Sequence, residues 1–346
     1  MSASPAAALR VALSKLAHGA SLSAEESAAA FAQVMDGEGT PAQMAALLMG
    51  LRVKGETSAE VAGAASALRG AMTVLAADRP AELVDTCGTG GGAIQTFNIS
   101  TAAALLAAGA GVRVAKHGNR SFTSKCGSAD VLEALGVAID VPVERMRDVL
   151  ERAGIVFMFA PTMHPAMRHV GPVRREIAIP TVMNLIGPLA NPARAGRQVI
   201  GVADPARLEL MAGALGTLGT THSLLLHGAP GMDEISPLGP TTIVEIRGAQ
   251  LSRWTLDPFE FDFARSTAAD LAGADPAANA AVIARILDGK GNPGAEAAVL
   301  LNAAGAIYVS DTAADFGSAL GQAREALRSG AGRAALERLR AAAPRA

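Results

Sequence analysis

Between Gly88 and Gly92, five residues carry four glycines and one threonine. Such a run weakens a fold that gains nothing from it. Leu83-Val84, just before it, reads as the end of a strand. Asn98, Ser100 and Thr101 stand where a helix should open, ahead of the apolar run AAALLAAGAGV. Glycine lets backbone N–H groups approach a ligand without a Cβ in the way. Successive N–H groups make an anion nest, and a helix N-terminus adds free N–H groups and the positive end of a dipole. Strand, glycine turn and helix start in this order are suited to phosphate. A second cluster, KHGNRSFTSKCGS from Lys116, is basic and rich in hydroxyls. Two such clusters, each after a short apolar run, imply a ligand with more than one phosphate.

The known phosphate loops do not match well. Gly88-x-Gly90-x-x-Ala93 formally meets the dinucleotide fingerprint. However, Thr96-Phe97-Asn98 separates the glycines from the helix, and the next strand, VRVAKHG, ends in Lys116 and His117 with no carboxylate for a ribose. The Walker pattern fails because no Gly-Lys-Ser/Thr follows the glycines. The 346 residues suffice for two domains. Half are hydrophobic but only 3% aromatic, so the core must be mostly Ala, Leu, Val and Ile. A net charge of −2 argues against a nucleic-acid partner. Cys87 and Cys126 lack CxxC spacing and are expected to stay reduced in the cytoplasm. Arg10 and Lys15 interrupt the apolar residues of a secretory h-region. The run from Thr101 to Val112 is too short to span a bilayer, so no membrane association is expected.

Residues 1–75 read as four helices. Ser23 with Glu26, Thr40 with Gln43, and Thr57 with Glu60 have capping-box spacing. Pro41 occupies a first helical position, where its missing N–H costs nothing. From about Glu82 strands and helices alternate. The strand candidates are Leu83–Thr86, Val112–Lys116, Gly154–Phe159, Gln198–Ala203, Ser223–His227 and Thr242–Arg247. Ser128–Leu135, Val143–Arg152 and Pro205–Leu218 read as helices. This is an α/β pattern: a mostly parallel sheet flanked by helices, beside a smaller all-helical domain. Ligands of such sheets bind beyond the carboxyl ends of the strands. From about Ala277 onward the chain reads as three helices, two of them separated by the turn Lys290-Gly291-Asn292-Pro293.

GTGG, TFNIST, KHGNR, GSADVLEALG, HPAMRHV, NLIGPLANP and GMDEIS, in this order and spacing, resemble the anthranilate phosphoribosyltransferase family over nearly the whole chain. One position departs: the family usually has Asp as the fifth residue of GTGGD, where this chain has Gly92. The resemblance implies a helical domain, residues 1–75 joined by part of 164–191, that forms a homodimer interface and one cleft wall. Residues 76–346 would be the α/β domain. The implied reaction joins anthranilate and phosphoribosyl pyrophosphate, giving phosphoribosyl anthranilate and pyrophosphate, with Mg²⁺ as cofactor.

By the same resemblance, Gly88, Gly91, Gly92, Thr96, Asn98, Ile99, Ser100 and Thr101 form the phosphoribosyl pyrophosphate loop. Lys116, His117, Gly118, Asn119, Arg120, Ser121, Phe122, Thr123 and Ser124 form a second phosphate run, with Ser128 a further contact. Gly88, Asn119 and Arg174 match anthranilate contacts, and Arg174 has the fork geometry to grip a carboxylate. His117, His164 and Pro188 look like cleft residues near the aromatic ring. Ser100 matches a Mg²⁺ position. Asp233-Glu234 alone would read as a solvated acidic loop, but in the matched GMDEIS they become metal ligands. The nucleophile is a neutral aryl amine, so no activated Ser or Cys is needed and no acid or base is assigned. Two other readings compete. A pyrimidine nucleoside phosphorylase would carry a KHSTGG-type motif, absent here. A non-catalytic nucleic-acid-binding relative would show a basic groove and a lost substrate site.

Overall fold

The computed structural model describes residues 8–121 and 125–344. In chain order the elements are α1 (Ala8–Ala17), α2 (Ala24–Met35), α3 (Pro41–Lys54), α4 (Ser58–Gly70), β1 (Val84–Gly88), α5 (Ile99–Gly109), β2 (Val114–Gly118), α6 (Ser128–Ala134), α7 (Val143–Ala153), β3 (Ile155–Phe159), α8 (Ala160–Met163), α9 (Met167–Ile177) and α10 (Val182–Ile186). They continue with β4 (Arg197–Gly201), α11 (Leu208–Leu218), β5 (His222–Gly228), β6 (Thr241–Arg247), β7 (Gln250–Leu256), α12 (Pro276–Leu287), α13 (Pro293–Val309), α14 (Phe316–Arg328) and α15 (Ala331–Ala342).

Two compact units result. One is Met1–Val74 with Pro161–Pro192 and Glu209–Gly219, and the other is Leu75–Ala160 with Ala193–Leu208 and Thr220–Ala346. In the first, three helix starts are fixed locally. Glu26 N–H donates to Ser23 Oγ at 3.2 Å and Ser23 N–H to Glu26 Oε2 at 2.9 Å, and the same reciprocal pair forms at Thr40/Gln43 and Thr57/Glu60. Each box satisfies two N–H groups that the helix leaves without a partner. Glu60 also accepts Leu22 N–H at 2.9 Å and pairs with Lys54 at 2.9 Å. Glu209–Gly219, expected with the α/β part, groups with this unit. The reason is local: Ser58 Oγ donates to Leu210 O at 3.0 Å and Arg69 Nη1 to Leu218 O at 3.4 Å.

The second unit is built on a seven-stranded sheet of order β3-β2-β1-β4-β5-β6-β7. The first five strands run parallel, and β6 and β7 are antiparallel. The parallel strands are short and largely buried, as strands covered by helices must be. Helices α5 and α13 pack together within this unit and are buried nearly all round. Apolar residues on every side mark a central helix rather than a surface one.

Two sequence expectations need correction. Strand β7 adds to the expected strands; QLSRWTL is polar at most positions and pairs only as an exposed edge after the Gly248-Ala249 turn. The C-terminal region holds four helices, not three. Ser329-Gly330, with Gly330 at φ 73°, breaks α14 from α15 where the sequence reads as continuous helix.

Candidate active site

The glycine run leaves the carboxyl end of β1 and leads to Asn98, the residue before α5. Gly90 and Gly91 have φ of 70° and 83°, the left-handed region that side chains disfavour. Gly90 N–H donates to Asp233 Oδ2 at 2.9 Å, and Ser100 N–H, in the first turn of α5, donates to Glu234 Oε1 at 3.1 Å. The loop therefore gathers the two carboxylates from the segment after β5. Gly201, at the end of β4, makes this seat possible: a Cβ there would fall 1.6 Å from Asp233 O. The N–H groups of Gly91 and Gly92 have no acceptor among the described residues and remain available for an anion.

The electrostatics are unusual. Burial raises the pKa of Asp233. Burial and the adjacent Asp233 charge push Glu234 up to about 8. Lys116, 2% exposed, is pulled down by its own burial. Its ammonium donates to Thr86 O and lies 3.4 Å from both Thr86 Oγ1 and Ser100 Oγ. Burial disfavours the ionised form of both carboxyls, and an added cation between them would restore it. Among the described residues no group of three or more His, Cys, Asp or Glu could cage a metal. The donor set instead suits Mg²⁺, which takes one or two carboxylates and leaves other positions to water and phosphate oxygens.

The remaining expected residues divide into groups. Gly88, Gly91, Gly92, Thr96, Asn98 and Ser100 lie along the loop and the start of α5. Ile99 is fully buried and Thr101 is 1% exposed, so their side chains belong to the core rather than to a ligand surface. Lys116, too, sits beneath the loop as an internal charge instead of an open phosphate hook. His117 N–H is held by Asp85 Oδ1 at 3.1 Å. At Gly118 a Cβ would stand 2.1 Å from Ser128 Oγ. Ser128 Oγ in turn donates to Asn119 O at 3.2 Å. Arg120, expected at phosphate, pairs instead with Asp130 at 2.7 Å and Glu133 at 2.6 Å of α6. Ser121 N–H also faces Asp130, at 3.3 Å. Phe122, Thr123 and Ser124 lie outside the described residues.

Arg174 and His164 belong to the helical unit. Arg174, on α9, is half-buried, burial lowers its pKa, and its guanidinium has no ion-pair partner among the described residues. Its neighbour Arg175 is exposed. His164 is buried, which pulls its pKa down to about 4. Sequence reasoning misses Asn279, which donates to Asn98 Oδ1 at 3.0 Å, and Asn302, which holds Ile235 beside Glu234. Each is a buried amide in an apolar helix, and that contrast is the signal that could find them.

Residues 80–333 match the glycosyl transferase family a/b domain, and residues 10–72 its helical bundle domain. An anthranilate phosphoribosyltransferase of Roseiflexus sp. (strain RS-1) is 49% identical over 94% of this chain and 95% of its own length. The chain belongs to the anthranilate phosphoribosyltransferase family. Another member, from Herpetosiphon aurantiacus, is 48% identical over 92% of this chain and 94% of its own. Among solved structures, the family member from Thermus thermophilus superposes with a TM-score of 0.90 at 41% identity, covering 96% of this chain and 98% of that one. The Saccharomyces cerevisiae enzyme in complex with PRPP and Mg superposes at 0.88 with 26% identity, covering 97% and 98%.

Proposed function

We propose that the protein transfers the phosphoribosyl group of phosphoribosyl pyrophosphate to the amine of anthranilate and releases pyrophosphate, a step of tryptophan biosynthesis. The observation that carries this reading is the pair of desolvated carboxylates, Asp233 and Glu234, hydrogen-bonded to the glycine loop and to the first turn of α5. The amine lone pair forms the new N–C1 bond, the C1–O electrons leave with pyrophosphate, and the amine proton passes to solvent. Mg²⁺, when bound, supplies positive charge to the leaving pyrophosphate. Asp233, Glu234 and Ser100 would hold it. The Gly91 and Gly92 N–H groups and the N-terminus of α5 face developing negative charge with fixed dipoles. Lys116 supports that potential from below. Arg174, whose charge no described carboxylate neutralises, would take the anthranilate carboxylate in two parallel hydrogen bonds. The solved S. cerevisiae complexes with PRPP and Mg and with 4-fluoroanthranilate support both halves of the reading.

The test is anthranilate fluorescence. Consumption should require both phosphoribosyl pyrophosphate and Mg²⁺, stop in EDTA and return with excess Mg²⁺. Turnover that persists after metal stripping would remove the metal from this reading. A homodimer formed through the helical unit belongs to the same reading, and a solution mass measurement tests it. Cys87 and Cys126 form no disulfide among the described residues, which supports a reducing, cytoplasmic setting.

A further inference from the structure

Helix α13 contains the stretch VLLNAAGAIYV, in which Asn302 is the polar residue among apolar ones, and it is 3% exposed. An amide buried this way costs stability unless it is bonded, and asparagine is a poor choice within a helix. Two of its three bonds are spent on one residue outside its helix. Asn302 Oδ1 accepts Ile235 N–H at 2.9 Å, and Nδ2 donates to Ile235 O at 2.9 Å and to Ala298 O of its own helix at 2.9 Å. The Ile235 N–H is the amide of the peptide bond that follows Glu234. The clamp therefore grips the two peptide planes on either side of Ile235, the first of them Glu234's own. One turn further along α13, Gly305 leaves room for the Ile235 side chain; a Cβ there would come 3.0 Å from Ile235 Cδ1. Asn302 and Glu234 also line one small cavity of about 10 Å³ together with Thr86, Cys87, Ser100 and Gly201.

We propose that Asn302 is a positioning residue for the Asp233–Glu234 pair, fixing the backbone from which Glu234 reaches Ser100 N–H and the metal. The inference rests on the reading of that pair as Mg²⁺ ligands. Groups that orient metal ligands without touching the metal typically contribute about 10- to 100-fold to its affinity. The loop is already seated by Gly201 and by Gly90 N–H, so the lower end is expected here.

The experiment compares the wild type with Asn302→Leu, Asn302→Asp and Glu234→Gln. Turnover is titrated with Mg²⁺ at saturating phosphoribosyl pyrophosphate. Mn²⁺–phosphoribosyl pyrophosphate binding is measured separately by calorimetry without anthranilate. In Asn302→Leu the Mg²⁺ midpoint should rise about 10-fold and the Mn²⁺ complex should bind about 10-fold more weakly. The KM for anthranilate should stay put, and kcat should return within a few-fold at high Mg²⁺. Asn302→Asp, kept protonated by burial, keeps an acceptor for Ile235 N–H and one donor for the two carbonyls, so it should shift the same way by less, and it serves if the leucine variant does not fold. A folded Asn302 variant with lowered Tm but unchanged metal curves, while Glu234→Gln shifts them, makes Asn302 a core residue only and overturns the inference alone. If Glu234→Gln leaves the curves in place as well, the carboxylate reading fails and the inference falls with it.

Discussion

The α/β unit carries buried charge at both ends of its sheet, and the two ends are arranged differently. At the amino ends of β4 and β5, His222 lies 2.8 Å from Glu245 and 3.1 Å from Asp311. Glu245 also accepts from Trp254 Nε1 at 2.8 Å and Tyr308 OH at 3.0 Å, and Asp311 pairs with Arg197 at 2.6 Å and Arg247 at 3.2 Å. Burial pushes both carboxyls up, but the hydrogen bonds from these partners outweigh it and hold them below the usual range. At the carboxyl ends, Asp233 and Glu234 are held by backbone N–H groups, those of the loop and of α5 among them, and burial prevails. The first cluster saturates its own acceptors. The second keeps spare lone pairs beside a phosphate-shaped turn. A buried carboxylate by itself therefore does not mark a site; an incompletely compensated one does.

The largest expected effect tests the open end. Asp233→Asn with Glu234→Gln should lower kcat/KM by about 10³-fold or more, on the scale of removing a principal electrostatic group. Tm should not fall, because two poorly compensated carboxylates are removed. Unchanged turnover would dissolve the contrast. The closed end should respond in the opposite way. Glu245→Leu takes an acceptor from His222, Trp254 Nε1–H and Tyr308 O–H and should cost roughly 2–3 kcal/mol of stability, seen in urea unfolding, with turnover per folded molecule within about two-fold of wild type. A selective loss of activity there would make the network part of the catalytic apparatus.

Arg174 extends the contrast to the helical unit, as a cation without a described partner. Arg174→Ala should raise KM for anthranilate by about 10- to 100-fold, the loss of a charge-assisted contact of roughly 1.5–3 kcal/mol. KM for phosphoribosyl pyrophosphate should move much less. If only the latter rises, Arg174 serves the phosphate side. The smallest effect is expected at Gly92. A Cβ there would meet Asp233 Oδ1 at 3.0 Å and Gly231 O at 3.1 Å, so an added carboxylate would crowd Asp233. Gly92→Asp should tighten Mg²⁺–phosphoribosyl pyrophosphate by a few-fold and strengthen inhibition by excess Mg²⁺, since another negative group attracts the metal. Superimposable titrations would place residue 92 outside the metal chemistry.

Much of the fold is legible where its cause is local. Ser23, Thr40 and Thr57 announce helix starts because capping involves residues three apart. Most core strands announce themselves by short apolar stretches, and four of the five parallel ones, β1, β2, β4 and β5, end in glycine. Strand β7 does not, because an edge strand needs no apolar face, and the α14–α15 break does not, because one left-handed glycine is a weak signal among good helix formers. At the site, the glycine turn is readable from chain chemistry. The Asp233-Glu234 pair is ambiguous by itself and depends on its motif. Arg120 misleads because its partners, Asp130 and Glu133, lie on the next helix, and charge in a basic cluster does not reveal which side chains are already paired. Asn302 lies far along the chain from Glu234, a proximity only the fold supplies.

Gly201 makes no hydrogen bond to a ligand in the proposed chemistry, yet any side chain there would collide with the Asp233 carbonyl. A saturation scan selecting for growth without tryptophan should therefore rank it among the least tolerant positions, beside residues that touch substrate. Sensitivity to substitution would then map the seating of the carboxylates as faithfully as it maps the carboxylates themselves. An enzyme engineer wishing to move this carboxylate pair should begin at the strand ends that carry it.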